Sequence, residues 1–168
     1  DFIVNLVPEG LAKTIFMTST FPKEGKTFVS VNLAGTFALS GKKVLLIGLD
    51  IRNPKLDEYM NLPNRGVTNY LSTKDADLRN FIFKQEGYEH FDVLPAGVIP
   101  PNPAELLMSI KIETMFAIKK KEYDYIIVDT APVSLVTDTL LIAKYADAFI
   151  YVMRANYLDK RMLKVPET

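Results

Sequence analysis

Short runs of consecutive apolar residues alternate with stretches of helical length along the whole chain. Thr14 to Thr20 (TIFMTST) predicts a first strand. Thr27 to Ser40 (TFVSVNLAGTFALS) predicts a helix, apolar on most faces and stopped by Gly41, as expected of a helix packed on a sheet. Lys43 to Leu49 (KVLLIGL) predicts a second strand, and its continuous apolar run suits a parallel strand covered on both faces. Short helices are expected at Val67 to Ser72 and Leu78 to Phe83, then a strand at Phe91 to Leu94. Pro100, Pro101 and Pro103 punctuate a loop, with Asn102 as the expected N-cap of a helix carrying Pro103 in its first turn. A helix through Ile110 to Lys120 follows, then Tyr123 to Asp129 (YDYIIVD), a buried strand ending on a carboxylate. Asp138 is expected to cap a helix running to Tyr145, and Ala148 to Met153 (AFIYVM) is the last strand. The alternation predicts an α/β fold, a mostly parallel sheet flanked by helices with right-handed crossovers. Ligands of such sheets bind at the carboxyl ends of the strands. No repeat or linker divides the sequence, so residues 1–168 are expected to form a single domain.

Composition narrows the chemistry. The 168 residues suffice to bury roughly 70% of the unfolded surface without staples. At 48% hydrophobic and 24% charged the chain is globular in type. Twenty basic side chains balance twenty acidic ones, which argues against a bulk electrostatic nucleic-acid binder. The absence of cysteine excludes disulfides, thiolate metal sites and cysteine catalysis. The single histidine, His90, speaks against histidine zinc sites and is expected to pack at a surface or edge. Apolar runs fall short of the ~20 residues a membrane helix requires, and no signal peptide opens the chain. It therefore reads as a cytoplasmic domain, and its start on Asp1 rather than Met reads as that of a fragment.

The candidate chemistry lies directly after the first strand, in Ser19-Thr20-Phe21-Pro22-Lys23-Glu24-Gly25-Lys26-Thr27, with a helix following at once. Gly-Lys-Thr in a strand–loop–helix setting is the core of a phosphate-binding loop, although Thr20 stands where the full pattern has Gly. Backbone N–H groups at the turn and the helix N-terminus wrap the β-phosphate. Lys26 is expected to reach the β- and γ-phosphates and the Thr27 hydroxyl to ligate Mg²⁺, while Gly25 permits close backbone approach. Pro22, Lys23, Glu24 and Phe28 complete the expected nucleotide contacts of this segment. A Mg²⁺ shell needs carboxylates at neighbouring strand ends. Asp129 ends the strand Tyr125-Ile126-Ile127-Val128 in the usual Walker B form, and Asp50 follows Leu45-Leu46-Ile47-Gly48-Leu49. For Asp50 the spacing alone leaves a metal-shell role and a turn or cap role both open. Arg52 is suited either to neutralising phosphate or to pairing with an acid. Arg154 and Asn156, after the last strand, lie where such folds often contact the base. Lys119-Lys120-Lys121 is expected as a solvated cluster complementing a helix C-terminus.

Three stretches give the chain a specific resemblance: the loop of Ser-x-x-Pro-x-Glu-Gly-Lys-Thr form, the run Asp50-Ile51-Arg52-Asn53-Pro54-Lys55-Leu56, and Pro101-Asn102-Pro103-Ala104-Glu105-Leu106-Leu107. With Val128-Asp129-Thr130-Ala131-Pro132, it resembles the bacterial protein-tyrosine kinases (BY-kinases) from about Thr14 to Arg154. Those kinases are P-loop proteins of the deviant-Walker type that partner membrane proteins controlling capsule and exopolysaccharide chain length. The resemblance implies an ATP- and Mg²⁺-dependent kinase that phosphorylates tyrosines, largely on neighbouring copies of itself. It implies a homo-oligomer in full-length form and a location at the inner face of the bacterial inner membrane, beside a polysaccharide co-polymerase or a fused membrane region. By the same matching Lys26 binds phosphate, Thr27 ligates Mg²⁺, Asp50 and Asp129 hold the metal's water shell, and Asp50 is the candidate base.

Four departures from the family pattern stand out. Gly48 occupies the first acidic position of the second-strand motif, and Lys23 stands where Gly is usual, either adding charge near the phosphates or being solvated. The family's arginine-containing helix ahead of the first strand and its tyrosine-rich tail have no counterpart in these residues. The eight tyrosines are scattered, and Tyr125 and Tyr151, inside predicted strands, are expected in the core. Two other readings compete. One is a P-loop ATPase switch of the partitioning type, which carries a signature lysine where this chain has Phe21; the other is a catalytically weak, nucleotide-gated assembly module, which Gly48 keeps open.

Overall fold

The strands are apolar on both sides because both faces of the sheet are covered. The structure, a computed structural model, describes residues 10–22, 25–133 and 137–153. Its strands are β1 (Lys13–Thr18), β2 (Val44–Gly48), β3 (Phe83–Lys84), β4 (Phe91–Leu94), β5 (Tyr125–Asp129) and β6 (Ala148–Tyr151). The helices are α1 (Lys26–Leu39), α2 (Val67–Ser72), α3 (Pro103–Leu107), α4 (Ile110–Lys119) and α5 (Asp138–Ile142). They form one six-stranded sheet in the order β3-β4-β2-β5-β1-β6. Every pairing is parallel except the antiparallel β3–β4 edge, so the expected mostly parallel α/β sheet is present.

Alternation along each strand divides the core in two. Ile15, Met17, Leu46 and Ile127 pack towards α1 with Ala34. Phe16, Leu45, Ile47, Ile126 and Val128 pack on the other face against Leu107, Ile112, Met115, Phe116 and Ile142. Each fully buried side chain of this kind contributes about 1.5–3 kcal/mol, which fixes the strand ends that carry the site.

Several local expectations are corrected. The predicted strand Thr14 to Thr20 stops at Thr18, and Ser19 and Thr20 join the loop. The predicted helix Leu78 to Phe83 is a 3₁₀ turn, Leu78–Phe81, capped by Asp77, which accepts from the Arg79 N–H at 3.0 Å. The chain then extends into β3, because Phe83 pairs with Val93. Asn102 takes the N-cap position of α3, but its side chain donates to Glu105 Oε2 at 3.2 Å instead of capping the backbone. Asp138 is the first residue of α5, not its cap, and the helix gives way to a 3₁₀ turn at Ala143–Tyr145. Lys119 is buried, not solvated, with its ammonium 2.7 Å from Glu122. Tyr151 is exposed rather than in the core, since β6 is an edge strand. Tyr125 stacks on Phe37 with ring centroids 4.1 Å apart. The α1 helix leaves Phe28 and Leu39 exposed, so fewer of its faces are covered than its apolar sequence suggested. His90 is half-buried, 3.7 Å from Glu89, in keeping with edge packing.

Candidate active site

Gly25 closes the loop after β1 with φ 82°, a left-handed conformation that glycine adopts without strain, and becomes the N-cap of α1. No side chain caps that end and no acidic residue lies in its first turn. The free N–H groups and the positive end of the helix dipole therefore remain directed at the strand ends, the arrangement that binds phosphate.

Strand register places Asp129 between Met17 of β1 and Gly48 of β2. Asp129 is 1% exposed, and a buried carboxylate is stable only when paired or hydrogen-bonded. The Lys26 ammonium lies 2.5 Å from Asp129 Oδ1, the Thr27 hydroxyl donates to Oδ2 at 2.8 Å, and the Ser30 hydroxyl donates to Oδ1 at 3.3 Å. Ser30 also donates to the Lys26 carbonyl at 2.8 Å. Sequence reasoning did not single out Ser30, although its position one helical turn after Lys26 puts both on one face of α1.

Asp50 lies two residues past β2, buried, and its Oδ1 accepts the Asn53 N–H at 3.1 Å. Burial pushes its carboxyl above the usual aspartate range, opposed by the Asn53 N–H and the Lys26 charge; Asp129 adds a smaller push upward and Lys55 a smaller pull downward. Arg52 takes the acid-pairing role: Nε lies 2.7 Å from Asp138 Oδ2 and Nη2 lies 3.2 Å from Oδ1. That fork ties the segment after β2 to the start of α5.

Two cavities meet at Asp50. One, about 340 Å³, is walled by Ser19, Pro22, Gly25, Lys26, Thr27 and Asp50, together with Lys55, Glu58, Tyr59 and Pro132. The other, about 360 Å³, has Gly48, Asp50 and Asp129 at its base and apolar walls that include Leu56, Leu62, Ala96 and Val98. Its far side is held by the N–H groups of Val67 and Thr68, which donate to the carbonyls of Pro95 and Ala96 at 2.8 and 2.9 Å. Gly66 is needed for that approach, because a Cβ there would lie 1.9 Å from the Pro95 carbonyl oxygen. At Gly48 an added Cβ would meet Leu56 Cδ1 at 3.0 Å and the Ala96 nitrogen at 3.1 Å. The space an acid would enter is filled by Leu56.

The structure thus brings Pro22, Gly25, Lys26, Thr27 and Asp50 together around the first cavity, with Asp129 bonded to Lys26 and Thr27 and lining the second. Phe28 sits outside its walls, 55% exposed, with its ring centroid 6.1 Å from that of Tyr59. Lys23, Glu24, Arg154 and Asn156 lie outside the described residues. Lys55, Glu58, Tyr59 and Pro132 were not anticipated as wall residues; their positions depend on tertiary folding. The oxygen donors Thr27, Asp50 and Asp129 suit a hard cation. Among the described residues no group of three or more His, Cys, Asp or Glu side chains forms a metal cage. Mg²⁺ is usually held by one or two carboxylates together with waters and substrate phosphates, and Asp50 and Asp129 are two carboxylates beside the loop.

A family model described as an AAA domain matches residues 12–161. The chain is 39% identical over 151 residues to the tyrosine-protein kinase CpsD of Streptococcus pneumoniae, covering 89% of this chain and 66% of that protein. It is 37% identical over 155 residues to CpsD of Streptococcus agalactiae, covering 88% and 67%. The chain therefore spans about two thirds of the length of these curated relatives. Among solved structures, the kinase domain of the Escherichia coli tyrosine kinase ETK superposes with TM-score 0.85 at 30% identity, over 99% of this chain and 64% of that one. The septum site-determining protein MinD of Pyrococcus horikoshii superposes with TM-score 0.67 at 22% identity, over 84% and 58%, a likeness of fold alone.

Proposed function

The chain belongs to the AAA-domain family and, within it, to the bacterial tyrosine-protein kinases, and from that premise we propose that it transfers the terminal phosphoryl group of ATP to tyrosine. The observation that carries the reading is the meeting of two cavities at Asp50, one lined by the phosphate loop and the other walled by Leu56, Leu62 and Val98 alongside the polar Asp57 and Asn64. A phosphoryl donor fits the first, and an aromatic acceptor side chain fits the second.

In this reading the α1 N-terminus and Lys26 bind the phosphates, and Thr27 with Asp129 and Asp50 holds Mg²⁺ and its waters. The metal ion, when bound, supplies neutralisation of the charge that builds up on the phosphate oxygens. Asp50 accepts the phenolic proton as the tyrosine oxygen bonds to the γ-phosphorus and the bond to the β-phosphate oxygen breaks, leaving ADP. An ordinary tyrosine hydroxyl has a pKa of about 10, so it benefits from a positioned base. Asp50 suits that role by position, since it lies where the two cavities meet. Most of the catalysis is positioning and charge stabilisation by groups already fixed to strand ends.

The acceptors proposed are tyrosines of neighbouring copies in a homo-oligomer. The setting proposed is capsule or exopolysaccharide synthesis, at the inner face of the bacterial membrane beside a polysaccharide co-polymerase, separate or fused. Among the described residues no helix is long and apolar enough to cross a membrane. The test is incubation with Mg-ATP and a tyrosine-rich peptide, reading phosphotyrosine and free phosphate from one reaction. Phosphotyrosine is expected. Free phosphate alone would replace this reading with an ATPase switch, and nucleotide binding with neither product would replace it with an assembly module.

A further inference from the structure

Two residues, Asp50 and Lys55, belong to the walls of both cavities. Asp50 has the role proposed above; Lys55 has none. Its backbone is fixed: the Lys55 carbonyl accepts the Glu58 N–H at 3.0 Å and opens the 3₁₀ turn Leu56–Glu58, whose Leu56 is buried in the core. Its side chain is half-buried and makes no hydrogen bond or ion pair among the described residues. It is near enough to Asp50 to draw that carboxyl downward. Lys26, the other cation in the walls of the phosphate-loop cavity, is engaged by Asp129 at 2.5 Å.

The group that passes from one cavity to the other during transfer is the terminal phosphoryl group alone. A cation at the junction, anchored by its backbone and not engaged by a protein carboxylate, faces that group rather than the phosphates nearer the α1 N-terminus. The geometry points to Lys55 as the residue that recognises the γ-phosphate and so distinguishes ATP from ADP. The inference rests on the phosphoryl-transfer reading for its choice of nucleotide, but its test is a binding measurement that needs no transfer. A charge-assisted contact to a phosphate oxygen contributes on the order of a 10- to 100-fold difference in affinity.

Calorimetric titration of the chain with Mg-ADP and with a non-hydrolysable Mg-ATP analogue tests it in wild type, Lys55→Met and Lys55→Arg. Lys55→Met is expected to weaken the triphosphate analogue by roughly 10- to 100-fold while ADP affinity changes by less than about threefold. Lys55→Arg is expected to restore most of the difference. Equal loss for both nucleotides, or no loss for either, overturns the assignment, as does wild type that binds neither. Wild type that discriminates through Lys55 yet forms no phosphotyrosine would overturn the kinase reading and leave the Lys55 assignment standing.

Discussion

Replacing Lys26 by methionine removes the only full positive charge hydrogen-bonded to Asp129 among the described residues, and the structure sets the consequence for stability as well as for function. Lys26 and Asp129 are 6% and 1% exposed, so the pair is desolvated on both sides. Breaking a buried pair by deleting one partner costs about 3–5 kcal/mol. The hydroxyls of Thr27 and Ser30 still donate to the orphaned carboxylate and offset about 1 kcal/mol of that loss. The expected destabilisation is therefore about 2–4 kcal/mol, roughly 5–15 °C in Tm for a chain of this size. Asp129→Asn, which strands the ammonium instead, should behave similarly. The double variant Lys26→Met/Asp129→Asn should be less destabilised than the sum of the two singles, by about 2–3 kcal/mol. Urea unfolding of the four proteins gives this coupling directly, and nucleotide binding should be lost in both Lys26 variants. Strict additivity would refute the argument, because it would mean that the two groups do not depend on each other in the folded chain.

Asp50→Asn separates function from stability. Because burial raises its folded pKa, the contribution of Asp50 to stability is fully present below the ordinary aspartate range and lost as pH rises through the raised value. The Asn variant should melt above wild type at pH 7, with the gap closing as pH falls into that range, while phosphotyrosine formation drops about 10²- to 10⁴-fold; a variant that melts lower at pH 7 contradicts this. Gly48→Asp, which introduces an acid, should cost about 1–3 kcal/mol because its Cβ presses on Leu56 and Ala96; the double variant with Leu56→Ala should be less destabilised in urea unfolding than the sum of the two singles, and strict additivity would remove Leu56 from that contact. Ser30→Ala should cost about 1 kcal/mol through the weakened Asp129 cluster; an unchanged urea midpoint would remove Ser30 from that cluster.

The layout of the fold was legible wherever local chemistry decides it. The apolar runs of β1, β2 and β5 and the ending of β5 on Asp129 are local signals, and each strand lies within two residues of its expected bounds, with β1 ending at Thr18 rather than Thr20. The misses share a cause: they depend on what a segment meets in space. β3 is two residues long, and its only claim to be a strand is its pairing with Asp92 and Val93. Asp138 has the composition of a helix cap, yet its carboxylate is taken by Arg52, 86 positions away. Lys119 belongs to a basic run that looks solvated, but α4 turns it inward onto Glu122. At the site, the placement of Lys26 and Thr27 in the loop and of Asp129 at a strand end could be read on paper because strand–loop–helix geometry is stereotyped, whereas their bonds to one another are tertiary. The second cavity could not, since its walls come from residues 54–64 and 95–99 on separate connections. The filling of the space beside Gly48 by Leu56 is likewise a tertiary fact.

The central claim is that one site holds the triphosphate and delivers its terminal phosphoryl group to tyrosine with Asp50 as base. The direct measurement is a single turnover with ATP labelled in its γ-phosphate and a tyrosine-rich acceptor, run side by side on wild type and Asp50→Asn. Label on tyrosine in the wild-type reaction, reduced at least about 100-fold in the variant, is the predicted result. Label released as inorganic phosphate at similar rates in both, with none on tyrosine, would contradict it.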